Sequence, residues 1–246
     1  MITPRPDDAL HKAWLFRLLM SIADHHTLPH QLRFKGGTCA ALRGVIDRFS
    51  VDLDFDLILG EQTSLAEFQK YLEKVFFDLG LTIANHSQRT PQYFLKYPSP
   101  EGKRNSMKLD ILNIPPVSNL YEAVRFPEID RVMLCQTVPT MMANKLVAVL
   151  DRYDQHGGFA GRDIYDIHQY FLKGYQYHAA IIQERRNGTV LEFFKELRGF
   201  IEKRISQQIL DEDLNLLLAP EEFSRIRKTL KQEVLIVLDD ELKRLV

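Results

Sequence analysis

The sequence predicts an α+β fold, a mixed sheet flanked by helices and followed by a helical C-terminal domain. Three observations carry this. Strand-like alternation is confined to the first half, amphipathic helical spacing occurs in both halves, and beyond Pro139 the texture is helical throughout. The boundary is drawn at 137, giving an α/β domain over 1–137 and a helical domain over 138–246.

Residues 8–24 place Leu10, Trp14, Leu18 and Ile22 at helical spacing, which predicts a first amphipathic helix. "LRFKGGT" reads as a short strand entering a glycine turn, with a helix from about Cys39 to Val45. In "VDLDFDLIL", Val51, Leu53, Phe55 and Leu57 alternate with Asp52, Asp54 and Asp56, so the acids share one face of a strand. Ser64 and Glu67 form a capping-box signature ahead of the stripe Leu65, Phe68, Leu72, Val75 and Leu79, and Gly80 follows as the stop. "LTIANH", "QYFLKYP" and "SMKLDILNI" are strand candidates, the last two joined as a hairpin, and "VMLCQTV" adds another. Helices are predicted over 140–153, 162–173, 189–209 and 220–245, the last opening on Pro220.

Composition sets the outer limits. The 246 residues are 45% hydrophobic and 26% charged, enough for a sizeable core. No apolar run approaches the length of a membrane span, and the N-terminus lacks a basic-then-apolar leader pattern, so the expected location is the cytoplasm. Acids and bases balance on both sides of Thr137, so a nucleic acid would have to meet a local patch rather than a global field. Cys39 and Cys135 read as buried free thiols. The histidines show no zinc spacing.

The three aspartates on one strand face pose the chemical question. Alternate strand residues lie about 6 to 7 Å apart, so Asp52 and Asp54 can converge on a shared cation. Carboxylates holding divalent metal promote phosphoryl transfer, and Mg²⁺ favours a few carboxylates together with phosphate oxygens. Asp110, between Leu109 and Ile111, offers a third acid from a neighbouring strand. The competing reading is a solvated face of an edge strand. Just upstream, Gly36, Gly37 and Thr38 sit at a strand-to-helix turn, where backbone N–H groups and a hydroxyl can meet a phosphate.

Glycine turn, short helix, "RFSVDLDFD" and a later strand aspartate together resemble the nucleotidyltransferase superfamily. Within it, "KGGTCAALRGVIDRFSVDLDFDL" is most similar to the AbiEii/AbiGii toxin family, which combines a Gly-Gly-Thr turn with an Arg-x-Ser-x-Asp-x-Asp strand. Here these are Gly36, Gly37 and Thr38, then Arg48, Ser50, Asp52 and Asp54. Downstream, Lys145 on a helix followed by Arg162, Asp163 and Asp166 resembles the family's lysine helix and Arg/Lys-Asp-x-x-Asp motif. Surface ion pairing among Lys145, Arg152, Asp163 and Asp166 is the plainer account of those residues. The roles of Asp56 and Asp166 stay open.

The resemblance implies a nucleotidyltransferase-like fold whose helical domain completes the active-site groove. It implies transfer of a nucleoside monophosphate from a nucleoside triphosphate such as ATP to an acceptor hydroxyl. Asp52, Asp54 and Asp110 are expected to hold Mg²⁺ (or Mn²⁺) and, with Lys145 and Asp163, to be catalytic. Gly36, Gly37, Thr38, Arg48, Ser50 and Lys145 are expected on the nucleotide. The expected acceptor is RNA, above all tRNA, in a toxin–antitoxin or phage-defence setting with a cognate antitoxin as a possible partner. For an RNA acceptor, Lys96, Lys103, Arg104 and Lys108 around the hairpin, with Tyr93 and Tyr97 for stacking, supply a patch, and a solvated hairpin is the equal alternative for the same residues. A non-catalytic binding component of a two-protein system, or nucleotidylation of a protein or small molecule, stands as the alternative.

Overall fold

A computed structural model describes residues 1, 3, 5–60, 63–87 and 90–246. The chain forms two compact units. The first comprises Met1–Gly44, Phe49–Pro115 and Tyr121–Gln136; the second comprises Val45–Arg48, Pro116–Leu120 and Thr137–Val246. No helix among the described residues is long and apolar enough to cross a membrane.

The first unit contains α1 (Asp8–Asp24), α2 (Leu28–Gln31), β1 (Leu32–Lys35), α3 (Gly36–Leu42), β2 (Asp52–Leu57), α4 (Leu65–Asp78), β3 (Thr82–Ser87), β4 (Gln92–Lys96), β5 (Ser106–Leu112), β6 (Tyr121–Phe126) and β7 (Arg131–Gln136). Its seven-stranded sheet has the order β3-β4-β5-β2-β1-β7-β6. The β2–β5 and β1–β7 pairs are parallel and the others antiparallel, so the sheet is mixed. β2 lies in the middle. The aspartate strand is therefore not an edge strand, and the solvated-edge reading fails.

One face of the sheet is apolar: Phe34, Leu53, Phe55, Tyr93, Leu95, Leu109, Ile111 and Cys135 are all fully buried. Trp14, Leu15, Leu18, Leu19 and Ile22 of α1 and Phe68, Leu72, Val75 and Phe76 of α4 supply the facing layer. The Ser64 hydroxyl accepts from the Glu67 amide as the capping signature predicts, whereas the Glu67 carboxylate accepts from Tyr71 and leaves the box half made. Both tyrosines expected to stack on RNA belong to this core. Tyr93 is fully buried against Phe76, and Tyr97, 4% exposed, stacks on Trp14.

β6 went unrecognised in the sequence. Its Glu122, Ala123 and Arg125 are exposed on an outer strand, so burial imposes no alternation there. It pairs with β7 through a tight connection at 127–130, where Asp130 takes a left-handed φ of 49°.

The second unit contains α5 (Val138–His156), α6 (Gly161–Leu172), α7 (Ala179–Arg186), α8 (Val190–Arg204), α9 (Gln207–Leu214), α10 (Pro220–Ile226) and α11 (Leu230–Arg244). The expected helix 189–209 ends at Arg204, because Ser206 caps a new one. The expected 220–245 also divides, with Thr229 opening its second part, and α7 was not foreseen. α6 packs on α5, α9 and α11. At Gly161 a Cβ would lie 2.9 Å from the Ile209 carbonyl oxygen, so only glycine lets α6 meet α9 this closely.

His11 ties the core to the start of β2. Its Nε2–H donates to the Val51 carbonyl at 2.8 Å, which makes Nδ1 the acceptor for the Tyr97 hydroxyl at 2.6 Å. Burial pushes the imidazole down from 6.5 to about 4, so the folded protein holds it neutral. Below pH 6.5 the unfolded chain gains a proton that the folded chain refuses, and stability falls until the pH passes about 4. Between pH 7 and pH 5 this one group should remove about 2 kcal/mol. Urea unfolding at the two pH values measures it. His11→Gln should lose correspondingly less between them, and an equal loss in both proteins would refute the assignment.

Candidate active site

The site in the first unit is set by sheet register. Asp54 of β2 pairs with Asp110 of the parallel strand β5, and on its other side with Lys35 of β1. Asp52, two residues earlier on the same face, pairs with Lys108. The backbone thus sets two acids from different strands side by side and a third one step away. The Asp52 carboxylate is half-buried and has no hydrogen-bond or ion-pair partner among the described residues. Asp110 does have partners: Oδ2 accepts from Lys108 Nζ at 2.5 Å and from Gln92 Nε2 at 3.1 Å, which leaves Oδ1 outside both bonds.

The glycine turn closes on this row. Gly36 has φ +75°, a conformation that side chains resist, and a Cβ there would lie 2.7 Å from Asp54 Cγ and 2.8 Å from Asp54 Cβ. α3 starts at Gly36, not near Cys39, and no side chain caps its first turn. Thr38 differs from expectation. It is fully buried and its hydroxyl donates to the Asp52 carbonyl at 2.5 Å, so it locks the turn to β2 rather than presenting its proton to a phosphate. Ser50 is 7% exposed just ahead of the strand.

Asp56 has left the site. It is fully buried, and its carboxylate accepts from Lys35 Nζ at 2.6 Å, Gln136 Nε2 at 2.6 Å and the Tyr121 hydroxyl at 3.0 Å. Three donors, one of them cationic, offset the cost of burying that charge.

The second unit holds the other expected residues in a buried ion network. Arg48 forks onto Asp166, with Nε to Oδ1 at 2.6 Å and Nη2 to Oδ2 at 2.7 Å. Lys145 Nζ bridges Asp163 Oδ1 at 2.9 Å and Asp166 Oδ2 at 3.0 Å. Burial alone would raise the Asp166 carboxyl, but Arg48 and then Lys145 outweigh it and hold it below the usual carboxylate range. Burial likewise works against the Lys145 ammonium, yet Asp163 and Asp166 raise it. Pairing among these residues is therefore real but internal. Arg48, expected on the nucleotide, is 4% exposed and committed to Asp166, a partner 118 residues away that no spacing rule connects to it. Arg152 Nε stands 3.5 Å from Asp163 Oδ2, and neither atom makes a hydrogen bond with any described residue.

Among the described residues, no three His, Cys, Asp or Glu side chains are grouped to hold a metal. The acid row nevertheless has the right donors for Mg²⁺, carboxylate oxygens on adjacent strands, with Asp52 unpartnered among the described residues.

Removing the charge of Asp166 would take the forked partner from the buried Arg48 guanidinium and leave Lys145 with Asp163 alone. Asp166→Asn should cost about 3–5 kcal/mol in urea unfolding. Arg152→Gln, altering a long contact at a 41% exposed side chain, should cost about 0–1 kcal/mol. Equal costs would show that Arg48, Lys145 and Asp166 do not form the unit described.

Known proteins share this fold. The family described as "Nucleotidyl transferase AbiEii toxin, Type IV TA system" matches residues 17–236. JHP933 from Helicobacter pylori shares the fold at 18% identity and a TM-score of 0.60, covering 98% of this chain and 94% of that one. A putative nucleotidyltransferase from H. pylori does so at 17% identity and 0.61, covering 98% and 99%. MenT4, a nucleotidyltransferase toxin from Mycobacterium tuberculosis, is similar at 16% identity and 0.52, covering 97% and 87%. Among curated proteins none matches. The chain belongs to the AbiEii family of nucleotidyltransferase toxins of type IV toxin–antitoxin systems, and it is a nucleotidyltransferase.

Proposed function

We propose that this toxin moves a nucleoside monophosphate from a nucleoside triphosphate to an acceptor hydroxyl on RNA, tRNA being the first candidate, with Mg²⁺ (or Mn²⁺) at the acid row. The observation that carries the proposal is the in-register pair Asp54 and Asp110, with the Gly36 turn closed on Asp54 and Asp52 without a partner among the described residues. Asp52, Asp54 and Asp110 would hold the metal, which when bound supplies positive charge against the triphosphate. Asp110 Oδ1, outside the bonds to Lys108 and Gln92, would accept the acceptor's proton.

Backbone N–H groups of Gly36 and Gly37, uncapped at the start of α3, would meet triphosphate oxygens, with Ser50 nearby in sequence. Thr38 and Arg48 act as positioning residues in this reading, on Asp52 and Asp166 respectively. Lys145, oriented by Asp163, would direct its remaining N–H to the nucleotide. The setting is cytoplasmic, and an antitoxin counteracts the toxin.

Incubation with each labelled nucleoside triphosphate, Mg²⁺ and total bacterial RNA tests the proposal. Label should enter a tRNA-sized band with the natural protein and fall at least a hundredfold with Asp52→Asn. Mg²⁺ should raise the unfolding temperature of the natural protein and leave Asp52→Asn unmoved. Label entering protein or a small molecule instead of RNA would refute the acceptor, and equal activity with Asp52→Asn would refute the site.

A further inference from the structure

We propose that the sheet face of the acid row continues into a platform for the single-stranded end of an RNA acceptor, with Phe94 stacking on a base and Lys96 and Lys108 facing phosphates. The inference rests on the reading that RNA is the acceptor, and it assigns residues to that contact.

Register places them. Asn85 of β3, Phe94 of β4, Lys108 of β5 and Asp52 of β2 are successive partners in one row across the sheet. The next row runs Ser87, Gln92, Asp110, Asp54 and Lys35, and on the other side Thr82, Lys96 and Ser106 form a third. Adjacent strands are about 4.8 Å apart, so Phe94, two strands from Asp52, lies about 10 Å along the row.

Phe94 is 40% exposed while its neighbours Tyr93 and Leu95 are fully buried. An aromatic ring on the acid face of a strand does nothing for the core on the opposite face. Lys96 is exposed and makes no ion pair with any described residue. Lys108 is drawn to Asp110 at 2.5 Å, and a cation occupying the acid row would compete for Asp110 and release this ammonium toward a phosphate. An aromatic face interleaved with lysines and flanked by the exposed amide of Asn85 matches the chemistry of unpaired nucleotides, whose bases stack and whose backbone is anionic. A duplex would present no free base to Phe94.

Fluorescence anisotropy of a labelled single-stranded RNA oligonucleotide, without nucleoside triphosphate, isolates this surface from the chemistry. The natural protein should bind. Phe94→Ala should weaken binding about tenfold, and Phe94→Trp should restore it. Lys96→Gln should lower the slope of log affinity against log salt by about 0.7. No RNA binding by the natural protein, or unchanged affinity in Phe94→Ala and Lys96→Gln, overturns the platform. RNA labelling by the natural protein together with unaltered variants would sink the platform and leave the proposed reaction standing. Binding that behaves as stated without RNA labelling would do the reverse.

Discussion

The close approach of Gly36 to Asp54 is the constraint on which the site depends. A left-handed φ and the absence of a Cβ together let the chain leave β1, turn, and begin α3 while touching the carboxylate of the neighbouring strand. Either condition alone selects glycine; together they exclude every other residue without displacement of Asp54. Two further bonds fix the same place. The Val51 carbonyl is taken by His11 and the Asp52 carbonyl by Thr38, so the entry to β2 is held by side chains from α1 and α3. The acids are presented by a backbone pinned on both sides.

Charge compensation then sorts the acids by task. Asp56 is neutralised by Lys35 and hydrogen-bonded by Gln136 and Tyr121, which makes it part of the scaffold. Asp166 is spent on Arg48 and Lys145. Asp110 is half-engaged, and Asp52 has no partner among the described residues. Carboxylates with satisfied oxygens cannot also serve a cation or a proton without losing those bonds, so the gradient from satisfied to unsatisfied marks where chemistry is available. Asp56 and Asp52 are four residues apart on one strand face and stand at opposite ends of that gradient.

Much of this was legible in the sequence because strict alternation needs no knowledge of neighbours. "VDLDFDLIL" declares its two faces by itself, and the hairpin of β4 and β5 is bounded by turn residues. What alternation cannot say is which face of each strand meets the core. Tyr93, Leu95 and Tyr97 alternate with Phe94 and Lys96, and both sets contain an aromatic; only the register with β5 sends the tyrosines inward. The Arg48–Asp166 pair was invisible for a related reason, since its partners are distant in sequence and meet only after α6 has packed. The exposed edge strand β6 and the breaks that separate α8 from α9 and α10 from α11 turn on single capping residues or weak burial, where local pattern gives little guidance.

The most direct test of the central constraint is the rate of pyrophosphate release by Gly36→Ala, read beside its urea unfolding curve. A methyl group at this position adds backbone strain of about 1–2 kcal/mol and pushes the Asp54 carboxylate away from the turn. The expected result is a protein that still unfolds cooperatively but releases pyrophosphate at least a hundredfold more slowly. A folded Gly36→Ala protein with undiminished release would contradict the account, because it would mean that the turn and Asp54 need not touch for the reaction to proceed.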